Sequence, residues 1–172
     1  MILVAVGANL PGRDNATPFE TCRWAVERLA ALPDLRVDAV SQWYVTKPMP
    51  PSGQPPYVNA VARLSVEPEA ACIDPAGLLA DLQAIEQAAG RVRGERNAAR
   101  TLDLDIIAMG KVGQMVRAAP DPVLPHPRAH LRAFVLVPLL DVAPAWVHPV
   151  EGVPAAELLR RLPDQGVHLL RD

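Results

Sequence analysis

Leu102-Asp103-Leu104-Asp105-Ile106-Ile107-Ala108-Met109 reads as a strand, and its place in the chain decides the fold. Side chains alternate along a strand. Leu102, Leu104 and Ile106 therefore face a core, while Asp103 and Asp105 share the opposite face. Upstream, Asp74-Pro75 opens a helix that carries Leu78, Leu79, Leu82, Ile85 and Glu86, with Gly90 placed for its C-terminal cap. Tyr57 to Val66 is another strand, with Tyr57, Asn59, Val61 and Arg63 on one face. Val37 to Val45 favours strand. Thr17-Pro18-Phe19-Glu20 has a capping-box pattern and starts a helix reaching about Ala31. Ile2 to Val6 is a short buried strand ending at Gly7.

The order is β-α-β-β-α-β. It predicts an α+β fold with a ferredoxin-like core: an antiparallel sheet with the first two helices on one face. Arg132 to Val142, interrupted by Pro138, and Pro154 to Leu162 are further helices. They are expected to cover the other face, giving three αβα layers. Gly110 and Gly113 bracket a turn, with Met115 to Arg117 a short partner strand. No repeat or linker divides the chain, so residues 1–172 are expected to form a single domain.

Composition agrees with a soluble protein. Of 172 residues, 17 are basic and 19 acidic, for a net charge of −2, which argues against a general nucleic-acid binder. No stretch approaches the ~18 apolar residues of a membrane span. The apolar start is too short for a signal peptide and lacks a basic lead. Cys22 and Cys72, without a CxxC, read as two buried thiols in a reduced, cytoplasmic setting. The 19 prolines imply long ordered loops, Lys47 to Pro56 above all.

The chemistry concentrates around Asp103 and Asp105. Two neighbouring carboxylates repel, and a hard divalent cation relieves them. Arg91, Arg93, Arg96 and Arg100 lie just upstream, and guanidinium forks match phosphate oxygens. The pattern is either a site for a metal-nucleotide complex or a structural network of salt bridges. Neither GxxxxGK[ST] nor a GxGxxG before a helix is present, so any nucleotide is held by arginines and magnesium.

Arg96-Asn97-Ala98-Ala99-Arg100-Thr101-Leu102-Asp103-Leu104-Asp105-Ile106-Ile107 resembles the diagnostic motif of the 6-hydroxymethyl-7,8-dihydropterin pyrophosphokinases. Gly7-Ala8-Asn9-Leu10, Ser41 to Pro48, Gln54 to Asn59, Gly90 to Arg93, Pro125 to Arg128 and Arg132 to Leu139 extend the likeness along nearly the whole chain. The resemblance implies transfer of a pyrophosphoryl group from ATP to the pterin hydroxymethyl oxygen, releasing AMP. It implies two Mg2+ ions on Asp103 and Asp105, with Arg91 and Arg100 stabilising the developing phosphate charge. It places the pterin against Thr46, Lys47, Tyr57, Asn59 and Phe134. It places the nucleotide near Gln83, Glu86, Arg93, Ile106, His126 and Arg132, with Arg96 guiding nucleotide or facing solvent. Tyr57 and Phe134 are otherwise core aromatics, and Gln83 and Glu86 otherwise a solvated helix face. The loops Thr46 to Pro56 and Gly90 to Ala99 match the family's mobile loops. A monomer without nucleic-acid or membrane partners is expected.

The chain departs from the family pattern at Ala8 (serine), Asn97 (tryptophan), Ala99 (proline) and Pro127 (tyrosine). Other readings stay open. They are a γ-phosphate kinase of similar fold, a non-catalytic Mg-nucleotide-binding protein, and a ferredoxin-like interaction module.

Overall fold

The computed structural model describes residues 1–48, 50–92, 94 and 99–171. The elements in chain order are β1 (Ile2–Ala8), α1 (Pro18–Ala30), β2 (Leu35–Val40), β3 (Tyr44–Thr46), β4 (Tyr57–Val66), α2 (Pro75–Ala88), β5 (Asp103–Ala108), α3 (Ala133–Val142), α4 (Ala155–Arg160) and β6 (Val167–Leu169). Six strands form one sheet ordered β5-β1-β4-β3-β6, with β2 also paired to β4. The strand pairings among the described residues are all antiparallel.

The register aligns the acids with the centre of the sheet. Asp103 lies opposite Gly7 and Asp105 opposite Ala5. Gly7 in turn lies opposite Asn59 on β4, and Tyr44 and Thr46 of β3 face Asn59 and Tyr57. Partners in a sheet share a face. Three strands therefore bring Asp103, Asp105, Asn59, Tyr57 and Thr46 to one surface.

Each face has its own core. Ile2, Val4 and Val6 of β1, with Leu104 and Ile106 of β5, pack under Cys22, Ala25 and Leu29 of α1 and Leu78, Leu82 and Ile85 of α2. On the other face, Leu3, Val61 and Ile107 meet Val135, Leu136 and Leu139 of α3 and Ala155 and Leu158 of α4. Burying one leucine such as Leu29 contributes about 2 kcal/mol. This is the expected three-layer arrangement. Because α3 covers only part of its face, the rest is left as an open cleft.

Local chemistry sets the boundaries. Thr17 Oγ1 accepts from Glu20 N, and the Glu20 carboxylate accepts from Thr17 N, so α1 starts with a complete capping box. Asp74 caps α2, whose end passes into Gly90 at φ 95°.

Some expectations need correction. The strand expected over residues 37–45 is two strands. Ser41 Oγ accepts from Val61 N and donates to the Gln42 carbonyl, so a hydroxyl takes a place in the ladder. Pro138 does not interrupt α3, which runs through it. The missing N–H leaves the Phe134 carbonyl without its helical donor. Residues 115–117 form no strand, only an isolated bridge between Arg117 and Leu124. The strand β6 was not expected. Both cysteines are free, but only Cys22 is buried; Cys72 is exposed. Among the described residues no helix is long and apolar enough to cross a membrane.

Candidate active site

The uncovered part of the α3 face holds a cleft of about 300 Å³. One wall carries Asp103, Asp105, Arg100, His126, Arg128 and Arg132. Across the sheet stand Thr46, Lys47, Tyr57 and Asn59, with Pro48, Pro50, Ser52 and Gln54 of the proline loop at the rim, while Phe134 of α3 lies beside Arg132. The cleft is therefore ionic at one end and amide-bearing at the other, with an aromatic ring next to one of its cations.

The two acids are not equivalent. Asp103 Oδ1 accepts from Arg100 Nη1 at 2.6 Å and from Arg91 Nη1 at 3.2 Å. Asp103 is thus held in salt bridges with both arginines. Asp105 has no such neutralising partner among the described residues. The nearest is His126 Nε2, 3.9 Å from its Oδ2. Desolvation, and then the Asp103 charge, push the Asp105 carboxyl up to about 6. Its negative charge is under-compensated, which is the condition a bound cation relieves. Hard oxygen donors suit Mg2+. Among the described residues no group of three or more His, Cys, Asp or Glu side chains could hold a metal ion. A cation on this pair therefore takes the rest of its shell from water and substrate phosphates, as Mg2+ commonly does.

His126 is arranged as a neutral donor. Burial, then Arg132 and Arg128, pull its pKa down to about 4. Its Nδ1 accepts from Arg128 N at 3.2 Å, which leaves the proton on Nε2, the nitrogen facing Asp105. Arg132 has its guanidinium carbon 5.4 Å from the Phe134 ring centroid. Burial and Arg128 both lower its pKa. Crowded cations without carboxylate partners among the described residues are ready for an anion of high charge.

At the other end, Asn59 Nδ2 donates to Thr46 Oγ1 at 2.7 Å. That bond fixes the amide orientation and leaves Asn59 Oδ1 over Gly7. A Cβ at Gly7 would lie 2.8 Å from this oxygen, so any larger residue there would push the Asn59 amide aside. Tyr57 and Phe134 are half-buried and line the cleft, and Phe134 also packs against the core beneath α3.

Other expected site residues stand elsewhere. Glu86 is buried on α2 and does not line the cleft. Its carboxylate pairs with Arg91 and accepts from Leu104 N at 3.2 Å. Gln83, one turn earlier, is half-buried and also off the cleft. The Ile106 side chain is in the core beneath α1 and α2, so only its main chain is available to a ligand. Ala8 packs in that same core, so a hydroxyl there would not point into the cleft. Arg93, Arg96 and Asn97 lie outside the described residues.

Sequence reasoning assigned no role to Asn9, Gly7 or Arg128. Asn9 is fully buried. Its Oδ1 accepts from Arg100 N at 2.8 Å, and its Nδ2 donates to Gln54 Oε1 at 3.2 Å and the Pro55 carbonyl at 3.1 Å. One amide thus ties the arginine-bearing segment to the proline loop. An asparagine after Gly-Ala gives no hint of partners so distant in sequence.

Comparison with known proteins agrees with this geometry. Residues 3–144 match the family described as 7,8-dihydro-6-hydroxymethylpterin-pyrophosphokinase (HPPK). The 2-amino-4-hydroxy-6-hydroxymethyldihydropteridine pyrophosphokinase of Pseudomonas aeruginosa is 40% identical over 169 residues, covering 98% of this chain and 96% of that one. The enzyme of the same name from Haemophilus influenzae is 37% identical, over 94% and 92% of the two chains. Among solved structures, Plasmodium falciparum HPPK-DHPS superposes with a TM-score of 0.62 at 12% identity, over 93% of this chain and 41% of that one. At that identity the likeness is one of fold.

Proposed function

Since the chain belongs to the 7,8-dihydro-6-hydroxymethylpterin-pyrophosphokinase family, we propose that its cleft transfers the pyrophosphoryl group of ATP to the hydroxymethyl oxygen of 6-hydroxymethyl-7,8-dihydropterin. The products are the pterin diphosphate and AMP, in folate biosynthesis. The observation that carries this reading is the pair Asp103 and Asp105 set beside Arg100, His126 and Arg132 in a cleft also lined by Tyr57, Asn59 and Phe134.

The pterin oxygen bonds to the β-phosphorus as the bond from that phosphorus to the α,β-bridging oxygen breaks. AMP keeps the bridging oxygen, and the hydroxyl proton is released. Such transfers depend mainly on positioning and charge stabilisation. Tyr57 and Phe134 hold the flat ring between them. Asn59, fixed by Thr46, reads its polar edge, with Lys47 beside it. Arg91 and Arg100 stabilise charge on the transferring phosphates. Arg132 and Arg128 add cationic donors, and His126 donates from Nε2 without adding charge. Asp103 and Asp105 would hold two Mg2+ ions, which would neutralise phosphate charge.

Gln83 and Arg93 remain assigned to the nucleotide, as does the Ile106 main chain, with Glu86 acting through Arg91. Residues 50–56, at the rim of the cleft, would exclude water by closing over ATP. Residues 1–172 act as one unit, as a cytoplasmic monomer without nucleic-acid or membrane partners. The test is AMP release against Mg2+ concentration for the wild type and Asp105→Asn. The wild type should require the ion, and the variant should stay at background. A variant turning over at the wild-type rate would remove the acid pair from the site.

A further inference from the structure

Helix α3 starts without a cap of its own. Its N-cap position is Arg132, whose side chain makes no capping hydrogen bond and lines the cleft instead. Helix N-termini leave main-chain N–H groups without partners unless something outside supplies an acceptor. Here that acceptor comes from residue 165, 32 positions along the chain. Gln165 Oε1 accepts from Ala133 N at 2.8 Å. The same side chain donates from Nε2 to the Leu131 carbonyl at 3.1 Å. One amide therefore grips the main chain on both sides of Arg132.

Gln165 is itself anchored. Gly166 turns at φ 67°, and Val167 then pairs with Thr46 in the β3–β6 ladder. The side chain is thus mounted on the sheet two residues before a paired position. The grip needs both halves of an amide. A carboxylate can accept from Ala133 N, but it cannot donate to Leu131 and would repel its carbonyl. A short or apolar side chain provides neither contact.

The geometry points to Gln165 as a positioning residue: it holds Arg132 aimed into the cleft from outside the cleft. This rests on the assignment of Arg132 to the nucleotide phosphates proposed above. It explains how an arginine can occupy a cap position without fraying the helix that also carries Phe134. Freed from the clamp, Arg132 keeps its charge but loses its fixed direction.

The experiment combines steady-state kinetics with amide exchange on the wild type, Gln165→Ala, Gln165→Glu, Arg132→Ala and the double variant Arg132→Ala/Gln165→Ala. Losing hydrogen bonds of this kind corresponds to about a tenfold change in an equilibrium constant. Gln165→Ala and Gln165→Glu should therefore raise the KM for ATP about tenfold. The KM for the pterin should be nearly unmoved, and the Ala133 amide should exchange faster by NMR in Gln165→Ala but not in Gln165→Glu, which keeps its acceptor. The double variant should be no worse than Arg132→Ala alone, within about twofold. An unchanged ATP KM in Gln165→Ala, or fully multiplicative losses in the double variant, would overturn the role. So would an unchanged Ala133 exchange rate in Gln165→Ala. If the wild type makes no AMP, the functional reading fails by itself. The exchange rate and the affinity for Mg-ATP in the same variants then still decide whether Gln165 positions Arg132.

Discussion

Glu86 on α2 accepts the main-chain N–H of Leu104 on β5 at 3.2 Å. With its other oxygen it pairs with Arg91. A buried carboxylate on the far side of the sheet thus secures the outer edge of the strand bearing both acids, together with one of the arginines that reach Asp103. Its part is to hold the machinery in place.

Replacing Glu86 with alanine should therefore cost both stability and rate. The Leu104 N–H would be buried without a partner, at about 2 kcal/mol, and Arg91 would lose its anchor. Glu86→Gln keeps an acceptor for Leu104 and should recover most of the stability but less of the rate. Urea denaturation and AMP release on the two variants separate these effects.

Asp103 and Asp105 should respond oppositely to loss of charge. Asp103→Asn weakens its contacts with Arg91 and Arg100 and should lower stability by about 1 kcal/mol. Asp105 is partly buried, repelled by Asp103 and without an arginine partner among the described residues. Asp105→Asn should raise the thermal midpoint in magnesium-free buffer while abolishing turnover. A fold that stores such repulsion at a site trades stability for function. Thermal melts with and without Mg2+ check both variants.

Asn9→Leu should loosen two segments at once. It removes the acceptor for Arg100 N and the donor to Gln54 and Pro55. Leaving the Arg100 N–H unpaired costs about 2 kcal/mol. The rate should fall because Arg100 is no longer fixed against Asp103. Asn9→Asp keeps the acceptor for Arg100 and should retain more activity, which a comparison of kcat for the two variants reads directly.

Acid should weaken the fold through His148. This side chain is buried, and its Nδ1 accepts from Val150 N at 3.3 Å and Glu151 N at 3.0 Å. Burial, then the neighbouring His130, lower its pKa, against a smaller opposing effect of Glu151. The unfolded chain therefore takes up a proton near the ordinary histidine value of about 6.5 while the folded one resists. Its contribution is intact above that value and is lost as pH falls through it toward the lower folded pKa. His148→Asn keeps an acceptor without the titration. The difference between wild-type and variant unfolding free energies should shrink from pH 7.5 to pH 5.

Much of this arrangement is legible in the sequence, for identifiable reasons. The alternation in residues 102–109 separates the acid face from the core face of β5, and the structure keeps that separation. Thr17 with Glu20 and Asp74 with Pro75 mark helix starts because their partners are three residues away. What escapes is non-local. Ser41 splits a strand by bonding to Val61, and Gln165 caps a helix 32 residues away. Strand β6 has only three residues and is held by pairing with β3. The family resemblance places Glu86 and Gln83 near the nucleotide, and nothing local in the sequence shows that they do not line the cleft. The layer order puts their helix on the opposite face of the sheet.

The most direct measurement is phosphorus NMR of the protein turning over ATP, Mg2+ and 6-hydroxymethyl-7,8-dihydropterin. The account predicts the single resonance of AMP rising together with two mutually coupled resonances of a pterin diphosphate, in equal amounts and only when the pterin is present. A single pterin monophosphate resonance accompanied by ADP would contradict it, as would inorganic phosphate accumulating with no phosphorylated pterin.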